Sequence, residues 1–254
     1  MATESSEKAV VECVRLTKSF GTKRILDELS FRLPAGSITA LAGPVGAGKT
    51  TLLKILAGLI SVSQGTITAG GLDLAVHCRL VRRITGYVPS DERSFYWRLS
   101  GFRNLDFFAS LHGLSKPDRL ARIRRLLVFW GMEGMADIPF RNLSSGMKQI
   151  LALCRGFIHD PALLLLDEPC RSLGVDTVLK VRSAVRDFSR EKGRAVVWAT
   201  HDVHEIKDLA DRILILKSGR LETESPMTNL PSIYREKRKD SWDEAFCAAL
   251  GKDI

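Results

Sequence analysis

Short hydrophobic runs alternate with longer helical patterns along most of the chain. Continuous apolar runs predict strands at Val10–Val14, Ser30–Leu33, Ile38–Ala42, Thr66–Ala69, Leu163–Leu166, Val196–Thr200 and Ile213–Leu216. Helices are predicted from Gly48 to about Leu59, near Val178–Arg190 and near Val203–Ala210. Alternation of this kind is typical of βαβ units on a mostly parallel sheet that helices cover.

Residues 90–148 interrupt this alternation. Two apolar stripes recur there at helical spacing, and their members are Phe102, Leu105, Phe108, Ala109, Leu120, Ile123, Leu127 and Trp130. We therefore predict one domain at 8–225, with a helical lobe inserted at about 90–148. The tail, 226–254, has a mixed pattern and one predicted helix near Trp242–Leu250.

The composition narrows the class of protein. With 254 residues and 45% apolar content, the chain can bury a large core, but no apolar run is long enough to span a membrane. Glu4 and Glu7 and the lack of an apolar segment argue against a secretory signal. The cysteines are scattered and odd in number, which favours a reducing compartment over disulfides or a zinc site. We expect a soluble cytoplasmic chain.

The net charge of +9 indicates either an anionic partner or a solvated basic surface. Basic residues concentrate in Arg79–Arg103, Lys116–Arg125 and Arg235–Lys239. Nucleic acid, nucleotide phosphate and anionic lipid all suit such an excess. For any single run, a solvated face is an equally good interpretation.

The strongest motif is a phosphate-binding loop between a predicted strand and a predicted helix. It reads Gly43, Pro44, Val45, Gly46, Ala47, Gly48, Lys49 and Thr50, followed by Thr51. The glycines allow backbone N–H groups to curl around the phosphates of ATP, and the helix N-terminus adds positive potential. Lys49 would reach phosphate oxygens, and the Thr50 hydroxyl would ligate Mg²⁺.

A second motif ends the run Leu163–Leu166 with Asp167 and Glu168. An apolar strand of this kind delivers carboxylates to the edge of the sheet. Asp167 would hold the water shell of Mg²⁺, and Glu168 would act as general base on the attacking water. The alternative is a core strand that merely meets solvent.

A third motif lies between these two and completes a resemblance. Leu143, Ser144, Ser145, Gly146 and Met147 look like the LSGGQ signature. Together the motifs resemble the ATP-binding subunits of ABC transporters, most closely bacterial exporter-type ATPases, over nearly all of 10–225. The resemblance implies an α/β fold: a P-loop NTPase core with a mostly parallel sheet, a small N-terminal antiparallel β subdomain and an inserted α-helical lobe.

The resemblance also implies roles for residues outside the phosphate loop. Residues 144–147 would bind the γ-phosphate of ATP held by the opposite subunit. His201 matches a catalytic histidine that contacts the γ-phosphate, and Phe20 matches the aromatic residue that stacks on adenine. Both could instead be core residues, and His201 with His204 could belong to a metal site.

Several positions depart from the family pattern. Ser90 follows the strand end at Val88 where the family has a glutamine that approaches Mg²⁺. Its hydroxyl is shorter by two carbon atoms, so we expect it to reach the metal at most through water, with Asp91 or Glu92 as alternatives. The other departures are Ser145, Met147, Ile150 and Gly174, the last where the family places an aspartate that bears on communication between subunits.

The resemblance implies an ATPase with ATP and Mg²⁺ as cofactors. It would form a homodimer or pair with a second ATPase subunit on two Mg-ATP and drive a separately encoded permease, as an exporter, at the inner face of the cell membrane. The permease would dock at Glu92–Leu99, where three adjacent aromatic residues lie between two arginines; packing within the lobe and stacking on DNA are the alternatives. A soluble ABC ATPase acting on nucleic acid or ribosomes and a low-turnover ATP-gated switch remain open as functions.

Overall fold

Strands and helices alternate through the residues that the computed structural model describes, 9–91, 94–191 and 193–229. The strands are β1 (Ala9–Phe20), β2 (Lys23–Pro34), β3 (Ser37–Ala42), β4 (Gln64–Ala69), β5 (Leu72–Asp73), β6 (Thr85–Val88), β7 (Leu163–Asp167), β8 (Ala195–Ala199), β9 (Arg212–Lys217) and β10 (Arg220–Pro226). The α-helices are α1 (Lys49–Leu56), α2 (Leu74–Ile84), α3 (Gly101–Leu111), α4 (Lys116–Trp130), α5 (Ser145–Phe157), α6 (Val175–Arg190) and α7 (Val203–Leu209).

The strands form two sheets. An antiparallel sheet has the order β2-β1-β4-β5, and a six-stranded sheet has the order β10-β9-β3-β8-β7-β6. In the larger sheet β9, β3, β8, β7 and β6 are parallel, and only β10 runs antiparallel, as the second strand of a hairpin with β9. The predicted mostly parallel sheet with a small antiparallel N-terminal part is therefore confirmed.

The register of the parallel strands gathers their carboxyl ends at one edge. Every residue of β3, β7 and β8 is buried, as expected for central strands covered on both faces. Leu41 and Asp167 both pair with Ala199, and Val88 pairs with Leu166. The loops after β3, β6, β7 and β8 consequently leave the sheet side by side.

Two hydrophobic clusters cover the faces of the parallel sheet. On one side α1 and the antiparallel sheet pack together through residues such as Leu53 and Leu16. On the other side α5 and α6 pack on the strands and the lobe helices α3 and α4 pack on α5, so that Ile123 and Phe140 share a cluster with Trp198. The lobe thus shares its core with the sheet.

Helix α2 and strand β10 were not predicted from the sequence. Helix α2 buries only Leu74 and Val81, so its apolar stripe is too sparse to stand out; Asp73 caps it by accepting hydrogen bonds from the next turn. Strand β10 turns Thr223 and Ser225 inward, so no apolar alternation marks it.

Helix α1 is shorter in the structure than the sequence predicts. Helix α1 ends at Leu56, about three residues earlier than predicted, because Gly58 takes the left-handed conformation (φ 68°) just beyond it. The predicted helix at Trp242–Leu250 lies outside the described residues. Within the described part of the chain, none of the helices has both the length and the apolar character required to cross a bilayer.

Candidate active site

The loop from Gly43 to Gly48 joins β3 to α1 in a conformation that requires glycine. Gly43, Gly46 and Gly48 have φ values of 143°, 82° and 108°. A Cβ on Gly43 would lie 2.1 Å from the Leu216 carbonyl oxygen, and one on Gly48 would lie 2.6 Å from a methyl group of Leu26. Glycine therefore lets the backbone approach closely at these positions, as a phosphate cradle needs.

The first turn of α1 offers free N–H groups to an anion. Gly48 caps the helix without a side-chain hydrogen bond, and the first turn carries no acidic residue. Val45 is exposed at the tip of the loop and Ala47 is buried beneath it, while Thr50 and Thr51 belong to the first turn. The predicted phosphate-binding residues are contiguous in space as well as in sequence.

The ammonium group of Lys49 lies within the curl of the loop. Its Nζ donates to the carbonyl oxygens of Gly43 at 2.6 Å and Pro44 at 3.0 Å. Burial lowers the pKa of Lys49, and the nearby charges of Glu168 and Asp167 act in the opposite direction. A phosphate entering the loop would offer this cation stronger acceptors than two neutral carbonyls.

Asp167 closes β7 as a buried carboxylate held by hydroxyl groups. It is 2% exposed, and Thr50 Oγ1 donates to its Oδ2 at 2.9 Å, while Ser90 Oγ donates to the same oxygen at 3.4 Å. Burial raises the pKa of Asp167, and the hydrogen bonds from Thr50 and Ser90 work against this rise. A hydroxyl beside a carboxylate is an oxygen donor set of the kind that Mg²⁺ prefers, so these residues fit that ion.

Glu168 and His201 meet at the ends of neighbouring strands. Glu168 takes φ 51°, and its N–H donates to the Ala199 carbonyl oxygen at 2.9 Å. Its Oε1 then lies 2.7 Å from Nδ1 of His201, which follows β8. A carboxylate in contact with an imidazole at a solvent-accessible edge can orient a water molecule and accept its proton.

Helix α5 presents its N-terminus without a competing acid. Ser144 caps the helix, with its Oγ accepting from the Met147 N–H at 3.2 Å, and the first turn contains no acidic residue. Gly146 lies close to the loop after β7, since a Cβ there would be 3.0 Å from the Ser172 carbonyl oxygen. Residues 144–147 thus form a second N-terminus suited to an anion.

A contact that sequence reasoning missed joins α5 to the loop after β7. Buried Gln149 donates through Nε2 to the Pro169 carbonyl oxygen at 3.0 Å. Pro169 directly follows Glu168, so this bond ties α5 to the loop that carries Glu168. The only sequence signal was a polar residue on the apolar face of a helix, because the partner is a backbone atom 20 residues away.

The aromatic residues of the loop between β6 and α3 divide between the core and the surface. Phe95 is only 4% exposed and stacks on Phe140 with centroids 4.6 Å apart, so for this ring the alternative of packing within the lobe is the correct one. Tyr96 and Trp97 are 49% and 56% exposed. Of the segment predicted to dock a partner, Glu92 and Arg93 lie outside the described residues.

The sequence also singles out Phe20 as an adenine contact and His201 with His204 as an alternative metal site. Phe20 ends β1, half exposed, with Lys18 Nζ 4.7 Å from its ring centroid, so one face of the ring is covered by a cation. For the interpretation of His201 and His204 as a metal site, the described residues provide no group of three histidines, cysteines or carboxylates around them.

Comparison with known proteins identifies the family to which these motifs belong. Residues 26–171 match the family described as ABC transporter. The chain is 36% identical over 207 residues to the sulfate/thiosulfate import ATP-binding protein CysA of Nephroselmis olivacea, and 34% identical over 217 residues to the Nod factor export ATP-binding protein I of Mesorhizobium japonicum. These alignments cover 82% and 85% of the chain but 60% and 63% of the two relatives.

The fold is also similar to a solved one. A structure titled "Structure of ATP binding subunit of ABC transporter" superposes with a TM-score of 0.86 at 24% identity. The superposition covers 94% of this chain and 99% of that one.

Proposed function

The chain belongs to the ABC transporter family as an ATP-binding subunit with ATPase activity, and from this premise we propose how it uses ATP. Two such subunits dimerise on two Mg-ATP, and their closure drives a separately encoded membrane permease. The observation that carries the proposal is the meeting of Thr50, Asp167, Glu168 and His201 at the mouth of the loop 43–50. Places for phosphate, metal and base lie side by side there.

Each group has one role in the proposed reaction. The loop 43–50 and Lys49 bind the phosphates, while Thr50 directly and Asp167 through water hold Mg²⁺. When bound, Mg²⁺ neutralises charge on the β- and γ-phosphates. Glu168 orients the attacking water and accepts its proton, and His201 contacts the γ-phosphate and holds Glu168 in place.

The second half of each ATP site comes from the other subunit. Residues 144–147 lie at the N-terminus of α5, where backbone N–H groups point at an anion. We propose that they bind the γ-phosphate held by the partner's loop 43–50, and that Phe20 contacts adenine. Within the proposed domain, 8–225, the helical lobe at about 90–148 brings this second anion site to the interface.

The proposed permease-docking surface is the segment Glu92–Leu99. The exposure of Tyr96 and Trp97 supports it, because aromatic rings anchor protein interfaces, whereas Phe95 supports the segment from inside the lobe. Through this contact the subunit would sit at the inner face of the cell membrane. We propose export as the direction of transport; relatives named for export and for import are both similar to the chain.

Hydrolysis and dimerisation are tested together with Glu168→Gln. We expect the wild type to hydrolyse ATP only with Mg²⁺, and the variant to lose turnover by at least about a hundredfold. Sedimentation of the variant should show a dimer in Mg-ATP and a monomer in ADP. Equal turnover in both proteins would refute the role of Glu168, and a monomer in Mg-ATP would refute the shared sites.

A further inference from the structure

Ser90 places its hydroxyl on the carboxylate that ends β7. It lies two residues beyond β6, whose last residue, Val88, pairs with Leu166, so the two chain segments leave the sheet together. Ser90 Oγ donates to Asp167 Oδ2 at 3.4 Å, and Thr50 Oγ1 donates to the same oxygen at 2.9 Å. Hydroxyl groups from two separate elements, α1 and the loop after β6, therefore converge on one carboxylate oxygen at the end of β7.

This convergence matters because Asp167 is buried. A buried carboxylate needs hydrogen bonds to remain in a single orientation. Asp167 receives them from Thr50 and Ser90, and the charges of Lys49 and Lys54 also act on it. Thr50 belongs to α1 and Ser90 to the loop after β6. Two donors on separate elements restrict the rotation of the carboxylate more than one donor would.

The space around Ser90 indicates why a short side chain serves here. A cavity of about 390 Å³ lies beside it, lined by Asp91, Trp97, Ser145, Gln149, Arg171 and Ser172. A longer side chain at position 90 has room in this cavity and need not stay beside Asp167. Serine instead keeps its only donor within reach of the Asp167 carboxylate.

We propose that Ser90 is a positioning residue for Asp167 and does not ligate the metal itself. Its hydroxyl fixes the orientation of the carboxylate that holds Mg²⁺ through water. This inference rests on the proposed role of Asp167. It replaces the expectation of a water-mediated contact between Ser90 and Mg²⁺ with a direct contact to a carboxylate.

The test measures the Mg²⁺ concentration that half-saturates binding of a fluorescent ATP analogue, without reference to turnover. Removal of a hydrogen bond to a charged group should raise this concentration roughly 3- to 10-fold in Ser90→Ala. Ser90→Thr keeps the hydroxyl and should stay within about twofold of the wild type. Nucleotide affinity in EDTA should be the same in all three proteins, which a merely structural defect would not achieve.

A thiol at the same position separates positioning from ligation. In Ser90→Cys a direct ligand would let Cd²⁺ restore tight nucleotide binding, because thiolates prefer the softer ion; we expect no such rescue. Rescue by Cd²⁺, or an unchanged Mg²⁺ requirement in Ser90→Ala, would overturn the inference. If Asp167→Asn also left the Mg²⁺ requirement unchanged, the proposed function of Asp167 would fail as well.

Discussion

His159 stacks on His112 with ring centroids 3.6 Å apart and planes 3° from parallel. His112 caps the end of α3, and His159 follows the end of α5, so the stack joins a helix of the lobe to α5. His159 Nε2 lies 3.1 Å from the Thr85 carbonyl oxygen, at the start of β6. Since a carbonyl oxygen only accepts, Nε2 carries the proton, and the stack also ties the lobe to the parallel sheet.

The surroundings of this pair keep both rings neutral. Burial lowers the pKa of His159 to about 3; the neighbouring His112 and Arg122 also lower it, while the bond to Thr85 and the charge of Asp160 oppose them. Burial lowers the pKa of His112 too, with Arg155 and Arg83 adding to the effect. The buried Nδ1 of His159 has no hydrogen-bond partner among the described residues.

The first prediction is that acid destabilises the protein through His159. An unfolded histidine titrates near pH 6.5, so between pH 6.5 and 3 the unfolded chain binds more protons, and the free energy of unfolding falls with falling pH by up to about 1.4 kcal/mol per unit. Urea unfolding at pH 7.5 and 5.0 should therefore show a larger loss in the wild type than in His159→Gln. Carboxylate contributions are common to both proteins and cancel.

An exposed histidine supplies the control for this prediction. His204→Gln should keep the pH dependence of the wild type, because its side chain lies at the surface. An identical pH dependence in the wild type and in His159→Gln would show that His159 does not resist protonation.

The second prediction concerns the close approach of Gly43. In Gly43→Ala the new Cβ would lie 2.1 Å from the Leu216 carbonyl oxygen, at φ 143°, so the loop must move. We expect nucleotide affinity to fall by at least about tenfold, since strain of this kind costs of order 1–3 kcal/mol. Gly46→Ala is the matched control: it shares the positive φ, at 82°, but its Cβ meets open space. If both variants bound nucleotide equally well, the contact with Leu216 would not matter.

The third prediction separates orientation from binding at His201. Its Nδ1 contacts Glu168 Oε1 at 2.7 Å, so His201→Ala should release the carboxylate as well as the proposed γ-phosphate contact. We expect kcat to fall by about a hundredfold or more, with KM for ATP changed only a few-fold. His204→Ala, three residues along, should leave kcat near the wild-type value. A rise in KM without a fall in kcat would assign His201 to binding alone.

The phosphate loop and the acid pair could be predicted because local sequence determines their chemistry. Gly43, Lys49 and Thr50 are adjacent along the chain, and Asp167 and Glu168 follow an apolar run, so the motifs can be read without knowledge of the fold. The contact of Ser90 with Asp167 depends on the pairing of β6 with β7, which a single sequence does not specify.

The sequence also could not show which side chains of an irregular loop are buried. Phe95, Tyr96 and Trp97 stand in a row without periodicity, so nothing local distinguishes the ring that stacks on Phe140 from the two that face solvent. Helix α2 was missed for a related reason. Its buried face is narrow, since only Leu74 and Val81 are buried.

The fourth prediction tests whether α5 positions the loop of Glu168 through Gln149. Its Nε2 donates to the carbonyl oxygen of Pro169, the residue after Glu168, in a buried position. Gln149→Leu removes the donor and leaves a buried acceptor unpaired, which should lower the free energy of unfolding by about 1–3 kcal/mol. The loop that carries Glu168 is then held less firmly. We therefore expect kcat to fall even at a temperature where the variant is fully folded. Gln64→Leu, at an exposed position in β4, should change neither quantity. A variant that loses stability but keeps kcat would show that the bond holds the helix in place without positioning Glu168.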